Sequence, residues 1–203
     1  DYDGVLAVNP FDLNLKINID NYKFFKTSNI ITILNELIKT GLLFNENISV
    51  NTSIISNSKL KNKILQNINI NFNIINGKIN FNKTRLINKK IGSLELERSN
   101  LYLKNDTMIL NTDIIIDINN YDELFSLLQT NKKFRKPIKS VRINIDYNFL
   151  INQITFNNIK VNNKKVSDEL SRILEDFNDN NFDNWNKNKR LLNILFESYE
   201  GEG

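Results

Sequence analysis

The chain has 203 residues, with 27 basic and 23 acidic side chains and a formal net charge of +4 at pH 7. It contains neither cysteine nor histidine, which excludes disulfide frameworks, thiolate or imidazole metal sites, and Cys or Ser–His nucleophiles. Asn (39), Ile (30) and Lys (21) are over-represented, and because their codons are AT-rich we interpret this bias as genomic. Stretches rich in Asn or Lys therefore carry little functional information.

The chain is 40% hydrophobic and contains 13 Phe, so it can bury the core of at least one domain. It contains no apolar run of the roughly 18 residues needed to span a bilayer. It begins at Asp1 with neither a Met nor a signal-peptide pattern, and we therefore expect it to be a piece of a longer protein.

Strict alternation of apolar and polar residues, the period of a half-buried strand, dominates the sequence. The first three runs cover residues 11–19, 48–54 and 68–74. Between the first two, residues 28–40 predict a helix, with Ser28 as its N-cap and a glycine directly after its end.

Hairpin turns give an independent test of these strands. Residues 76–77 are Asn-Gly, a favoured two-residue turn that pairs Ile74 with Ile79 and Phe72 with Phe81. Each apolar residue then faces another on the same side of the sheet, whereas a slip by one residue would separate them.

Two further turns, at residues 105–106 and 151–152, predict hairpins of the same kind. The strand that follows the first of them keeps its apolar alternation through residue 118, which makes it about 35–40 Å long. The pairs expected across these turns are Leu101 with Leu110, Leu103 with Met108, Phe149 with Ile154 and Tyr147 with Phe156.

A short helix is predicted over residues 120–129, and apolar residues at helical spacing predict two more helices, over about 166–177 and 185–199. The fold class expected is mainly β with α: a long antiparallel, curled β-meander with a helix near the start, a short inserted helix and two C-terminal helices. We divide it into a β-groove segment over residues 1–164 and a helical cap over residues 165–203.

Motifs for catalysis or metal binding are weak. The run that begins at Asp176 resembles the start of a calcium loop, but it lacks the required Gly at position six and Glu at position twelve. Asp113 and Asp117 share one face of a strand and could form a general acid/base pair, although outward-facing polar residues explain them better. We therefore expect no catalytic residue, no metal and no cofactor.

The densest basic cluster lies between residues 132 and 142. It could contact phosphate, in nucleic acid or in a lipid headgroup, and the alternative is a solvated loop. Aromatic residues are not interleaved as stacking platforms require, so nucleic acid is not an expected partner. Headgroup or partner contact is assigned to Lys132, Lys133, Arg135 and Lys136.

Several short segments follow one another in order along most of the chain. They are Asp3-Gly4, Pro10-Phe11-Asp12-Leu13, the helix at 33–37 before Gly41-Leu42-Leu43-Phe44, Asn76-Gly77-Lys78-Ile79, Lys90-Ile91-Gly92-Ser93-Leu94, Gln129 after the short helix, the basic stretch 132–136, and Asp146-Tyr147. In their order and spacing they resemble the C-terminal part of bacterial AsmA-like proteins, the family that includes TamB-type envelope proteins.

The resemblance implies a periplasmic location, tethered to the inner membrane by a segment outside this sequence. It also implies a repeating β-groove that shields acyl chains of phospholipid or another envelope lipid during transport and outer-membrane homeostasis. The chain departs from the family in its shortness and in having no N-terminal membrane helix, so it would form only one segment or end-cap of such a groove.

A sheet with one apolar face must cover that face, either with core side chains and helices or with lipid tails. Core packing is therefore the alternative to lipid contact at every position. The positions expected to contact lipid are Ile68, Ile70, Phe72, Ile74, Ile79, Phe81, Leu101, Leu103, Met108, Leu110, Ile114, Ile116, Ile143, Ile145 and Tyr147.

Lipid binding is the function expected. The alternative is a non-catalytic structural or assembly module that docks an outer-membrane protein by strand addition or through the terminal helices. A third hypothesis, a carboxylate-based hydrolase, would depend on Asp117.

Overall fold

A computed structural model of the chain describes residues 1–19, 40–57, 66–105, 107–151, 153–175 and 185–199. These residues form one sheet of eleven strands and three α-helices, so the fold is mainly β with some α, as predicted. The strands are Tyr2–Val8 (β1), Phe11–Ile19 (β2), Ile48–Asn57 (β3), Asn67–Ile75 (β4), Lys78–Asn80 (β5), Arg85–Asn88 (β6), Gly92–Lys104 (β7), Thr107–Ile118 (β8), Ser140–Asn148 (β9), Gln153–Val161 (β10) and Lys164–Lys165 (β11). The helices are Tyr121–Leu128 (α1), Asp168–Glu175 (α2) and Trp185–Ser198 (α3), and Leu42–Phe44 and Lys132–Phe134 form short 3-10 turns.

The strands follow the order β1-β2-β3-β4-β5-β7-β8-β9-β10-β11, with β6 pairing β4 and β7. The prediction of an antiparallel meander throughout was wrong at one place, because β2 and β3 pair in parallel. A parallel pair needs a long connection that returns the chain to the same end of the sheet, and residues 20–47 supply it. The helix predicted at 28–40 lies outside the described residues except for Thr40. None of the described helices is long and apolar enough to cross a membrane.

The first two predicted hairpins are confirmed. Ile74 pairs with Ile79, and across the next hairpin Leu101 pairs with Leu110 and Leu103 with Met108. At the Asn-Gly turn both residues have positive φ, 51° and 69°, as this turn type requires. A Cβ on the glycine would lie 2.3 Å from the carbonyl oxygen of residue 44, so no other residue fits there.

The third predicted hairpin register was wrong by two residues. Tyr147 pairs with Ile154 rather than with Phe156, because the turn is a four-residue loop over 149–152. The side-chain oxygen of Asn148 accepts hydrogen bonds from the backbone N–H groups of Leu150 and Ile151, at 3.0 and 3.3 Å, and so closes this longer loop. A shift of two residues keeps every side chain on its predicted face.

A β-bulge in β7 keeps the apolar residues of that strand on one face. Arg98 and Ser99 together lie opposite the single residue Thr112, and Arg98 adopts the left-handed conformation (φ 49°). The bulge reverses the alternation, so Leu94 before it and Leu101 after it point to the same side. The switch from even-numbered to odd-numbered apolar positions is visible in the sequence and is the signal for this bulge.

A second bulge, in β10, has the same effect. Phe156 pairs with Ile145 and Asn158 with Asn144, which leaves one extra residue, Asn157, in β10. The side-chain amide of Asn157 donates to the Asn144 side chain (3.0 Å) and to the Asp146 carboxylate (2.9 Å). Again the apolar positions change from even to odd numbers, and both bulges lie at the level of the Asp113–Asn144 pair in the neighbouring strands.

The apolar face is covered in two different ways. Over β3–β8 the strands bury one another's side chains together with the turn at Leu42–Phe44, in a cluster formed by Val50, Ile74, Ile79, Leu101 and Met108. Over β8–β10 helices cover the sheet, with Phe125 and Ile138 buried between them. Thr112 lies on the same face of β8 between these regions, only 1% exposed, and its hydroxyl donates to the carbonyl of Glu97 (3.2 Å).

Replacing Arg98 with isoleucine tests whether the β7 bulge depends on a left-handed residue at this position. A β-branched residue is strained at a φ of 49°, so we expect a loss of about 1–2 kcal/mol in the free energy of unfolding. The measurement is urea unfolding followed by circular dichroism, and the control is Arg98→Gly, which also lacks the ion pair with Asp113 but tolerates positive φ. Equal unfolding midpoints for the two variants would show that the bulge does not depend on the conformation of residue 98.

Candidate functional site

An apolar cavity of about 500 Å³ lies between the β7–β10 part of the sheet and the three helices. Its exposed lining is almost entirely hydrocarbon. The side chains on the sheet that line it include Leu86, Leu94, Ile114, Ile116, Val141, Ile143, Ile145, Ile154, Phe156, Ile159 and Val161. Those from the helices include Leu124, Leu127, Leu128, Leu170, Leu192, Leu195 and Phe196, and Tyr199 lies directly after α3.

The sheet wall of the cavity follows from the strand register. Ile114 pairs with Ile143, and Ile116 pairs with Val141, so β8 and β9 place four branched side chains next to one another. Successive side chains point to opposite faces, and these positions therefore share the inner face. Branched residues fit such a pleated surface well, and the result is a continuous hydrocarbon wall.

Phe125 of α1 anchors the opposite wall. It is fully buried, and its ring meets that of Phe196 of α3 edge to face, with centroids 5.1 Å apart at 87°. The Asn120 side chain accepts a hydrogen bond from the Glu123 N–H (3.1 Å) and caps the start of α1. On the other side of the cavity, Leu192 and Leu195 of α3 pack with Ile159 of β10.

Polar contacts hold α3 in place over the cavity. The Asn193 amide donates to the carbonyl of Leu128 (3.0 Å), and its oxygen accepts a hydrogen bond from the Thr130 hydroxyl (2.6 Å). At the end of the helix, the Lys136 ammonium donates to the carbonyl of Tyr199 (2.5 Å). Because these partners lie at the end of α1 and on the segment that follows it, the contacts set how far α3 stands from the sheet.

The structure divides the residues predicted to contact lipid into two groups. Ile114, Ile116, Ile143 and Ile145 line the cavity. The others lie elsewhere on the sheet: Ile74, Ile79, Leu101 and Met108 are buried in the cluster over β3–β8, with Phe72, Phe81 and Leu110 packed against it, Ile68 is buried, Ile70 is half-buried, and Leu103 is 42% exposed.

Tyr147, the remaining member of that set, packs against a neighbouring aromatic residue rather than the cavity. Its ring lies 4.6 Å from that of Phe149 at 73°. Burial raises the pKa of the Tyr147 phenol above its ordinary value of 10, because desolvation disfavours the phenolate. The phenol is therefore protonated and neutral at physiological pH.

The predicted headgroup-contact residues are divided between structural and exposed positions. Arg135 donates through Nε to the carbonyl of Thr130 (3.0 Å), and Lys136 holds the carbonyl of Tyr199. Lys132 and Lys133 are exposed, and the Lys133 ammonium lies 4.4 Å from the centre of the Phe134 ring. Two of the four side chains therefore donate to backbone carbonyls just after α1 and α3, and only Lys132 and Lys133 are exposed to solvent.

The two aspartates considered as an acid/base pair have separate environments. Asp113 is buried, although we expected it to face outward to solvent. Its carboxylate forms an ion pair with Arg98 and accepts a hydrogen bond from the Asn144 amide (2.6 Å). Asp117 is exposed and lies four residues further along β8, about 13 Å away at the usual rise per residue. No group of three or more acidic residues that could hold a metal occurs among the described residues.

The helix side chains of the cavity were missed at the sequence level. Leu124, Leu127, Leu192, Leu195 and Phe196 line the wall opposite the sheet, although only strand residues were assigned to the site. The sequence feature that could have identified them is the apolar stripe of each predicted helix, because such a stripe must face the sheet.

Comparison with protein-family models finds no match for this chain, and comparisons with curated proteins and with solved structures find none either.

Replacing Asn193 with alanine tests the contacts that position α3. The change leaves the Leu128 carbonyl and the buried Thr130 hydroxyl without these partners, so we expect a loss of about 1–3 kcal/mol in the free energy of unfolding. Thermal unfolding measures the loss, and Arg190→Ala, at an exposed position of the same helix, is the control. An unfolding midpoint equal to that of the control would contradict the role given to Asn193.

Proposed function

We propose that this chain binds one acyl chain of a lipid in the apolar cavity. The observation that carries the proposal is a cavity of about 500 Å³ with an almost purely hydrocarbon lining. Small-molecule sites commonly measure about 300–1,000 Å³, so the volume is that of a ligand site. Water is a poor occupant because it would find few hydrogen-bond partners on these walls.

The energetics favour a hydrocarbon ligand. Each methylene transferred from water into such a cavity gains about 0.8 kcal/mol. Eight enclosed methylenes would therefore gain about 6 kcal/mol before the cost of ordering the ligand. Selectivity in this scheme comes from the length and width of the cavity, and the binding needs no catalytic group.

We place this activity in the cell envelope. In this proposal the chain is the C-terminal segment of an AsmA-like protein, located in the periplasm and tethered to the inner membrane by a segment outside this sequence. Its ligand is a phospholipid or another envelope lipid, and its role is lipid transport or outer-membrane homeostasis. The support is the sequence resemblance, together with a long sheet whose apolar residues are kept on one face by two bulges.

Filling the cavity tests the proposal. Ile116→Trp places an indole against Val141 and Ile143, where the acyl chain would lie, so we expect at least a tenfold loss of affinity for a long-chain lipid. The control is Ile115→Trp, at the adjacent position on the opposite face of β8, which should bind as the unmodified chain does.

The measurement is displacement of a fluorescent lipid probe from delipidated protein, with native mass spectrometry of the protein before delipidation. Unfolding midpoints establish that both variants are folded. Absence of saturable lipid binding to the unmodified chain would overturn the proposed function. Equal loss of binding in the two variants would move the site away from the cavity.

A second candidate function is docking of an outer-membrane protein by strand addition. The edge strand β1 is exposed along its whole length, with Tyr2 84% and Val8 78% exposed. It pairs only with β2 among the described strands. The opposite edge is β11, which has only two residues, both lysines, and this is a usual way of blocking an edge.

Single cysteines introduced into this cysteine-free chain test the docking. Val5→Cys on β1 should cross-link to an outer-membrane protein that adds a strand there, whereas Lys165→Cys on β11 should not. The readout is the mass and identity of the cross-linked product after incubation with solubilised bacterial outer-membrane proteins. Equal yields from the two positions would contradict docking at β1.

A further inference from the structure

A second pocket, of about 480 Å³, adjoins the apolar cavity at the end of the sheet where β6 connects to β7. The two spaces share Asn88, Ile91 and Leu127 in their linings. Beyond these shared residues the second pocket is lined by polar side chains, namely Gln66, Lys90, Glu123, Ser126 and Gln129. A ligand that extends from the cavity past Ile91 and Leu127 would therefore pass from hydrocarbon to polar surroundings.

We propose that the ligand is an amphiphile whose anionic oxygen head group, a carboxylate or a phosphate, lies in this polar pocket against Lys90. The inference rests on the proposed function, because it takes the apolar cavity as the site of the acyl chain. It names the polar end of the ligand, which the cavity alone does not determine.

Hydrogen-bond chemistry favours an acceptor group in the polar pocket. The Gln66 side-chain oxygen accepts a hydrogen bond from the backbone N–H of Lys89 (3.0 Å). The Gln129 side-chain oxygen accepts one from the Lys189 ammonium (2.5 Å). These contacts orient both amides with their oxygens engaged, so each side chain offers its NH₂ group to a ligand. Together with the Lys90 ammonium, the walls present donors to a negatively charged oxygen.

The backbone around Lys90 is held by several hydrogen bonds. The buried Asn88 accepts hydrogen bonds through its side-chain oxygen from the N–H groups of Lys90 (2.9 Å) and Ile91 (3.1 Å). The carbonyl of Ile91 in turn accepts from the N–H groups of Asn119 (2.8 Å) and Asn120 (3.2 Å). The turn that carries Lys90 is therefore fixed to the start of α1, and the Lys90 side chain is itself exposed.

Among the described residues that line the polar pocket, Glu123 is the one carboxylate, and it lies on α1 rather than on the β6–β7 turn. Its negative charge disfavours an anion close to it, so the head group is expected on the side of Lys90 and Gln66. Glu123 therefore provides a matched control: neutralising Lys90 should weaken the binding of an anionic ligand, whereas neutralising Glu123 should not.

The experiment compares ligands that share one tail and differ in the head group. The measurement is displacement of a neutral fluorescent probe, N-phenylnaphthylamine, from the delipidated chain. The three competing ligands are hexadecanoate, a lysophosphatidate with the same chain, and hexadecanol. We expect at least one anionic ligand to bind about tenfold more tightly than the alcohol. The tighter of the two anionic ligands identifies the head group as carboxylate or phosphate.

Two variants locate the effect. Lys90→Gln should remove the preference for the anion while leaving the affinity for hexadecanol unchanged, and Glu123→Gln should leave that preference equal or larger. Both positions are exposed, so unchanged unfolding midpoints are expected. Equal binding of acid, phosphate and alcohol by the unmodified chain, or a preference that survives Lys90→Gln, would overturn the inference. Failure of all three ligands to bind would instead overturn the proposed function.

Discussion

The need to keep the alternating apolar residues of each strand on one face, and then to cover that face, governs the structure. A strand residue that shifts by one position moves to the other face, so each strand must keep its alternation over its whole length. β7 and β10 are unable to do so with regular pairing, because their apolar positions change from even to odd numbers. One bulge in each strand corrects the change, and both bulges lie beside the same pair of residues, Asp113 and Asn144.

The covering of that face decides where a ligand can bind. Over β3–β8 the side chains of neighbouring strands meet in a cluster with Ile74 and Ile79 fully buried, and among the described residues the short turn at Leu42–Phe44 packs against it. Over β8–β10 the helices cover the apolar face, and their leucines lie far enough from the sheet to leave a cavity of about 500 Å³. On β8, Thr112 lies between these two regions. Its buried hydroxyl donates a hydrogen bond to the carbonyl of Glu97 at the β7 bulge. The bulge that orders the strand therefore also marks the boundary of the cavity.

Strand positions and two of the three hairpin registers follow from the sequence, because turn chemistry and apolar pairing are local and agree with each other. The third register failed because the side chain of Asn148 stabilises a longer loop, which apolar pairing cannot distinguish from a shift of two residues. The parallel pairing of β2 with β3 depends on where a long connection returns, and alternation carries no information about direction. Only part of the sheet wall of the cavity was predicted, namely Ile114, Ile116, Ile143 and Ile145. The volume of the cavity depends on the distance between α3 and the sheet, which is set by contacts such as that between Asn193 and Thr130.

The excess of asparagine has a structural use that a genomic explanation does not cover. At turns the side-chain oxygen replaces a missing backbone partner: Asn162 accepts from the N–H groups of Lys139 (2.7 Å) and Ser140 (3.2 Å). At the bulges asparagine supplies both kinds of partner, since Asn82 accepts from the Ser99 N–H (2.7 Å) while Asn157 donates across to β9. Asparagine also tolerates positive φ, as at Asn76, where most residues are strained. We interpret the abundance of asparagine as codon bias, but the irregular points that keep the sheet one-faced depend on the short amide side chain.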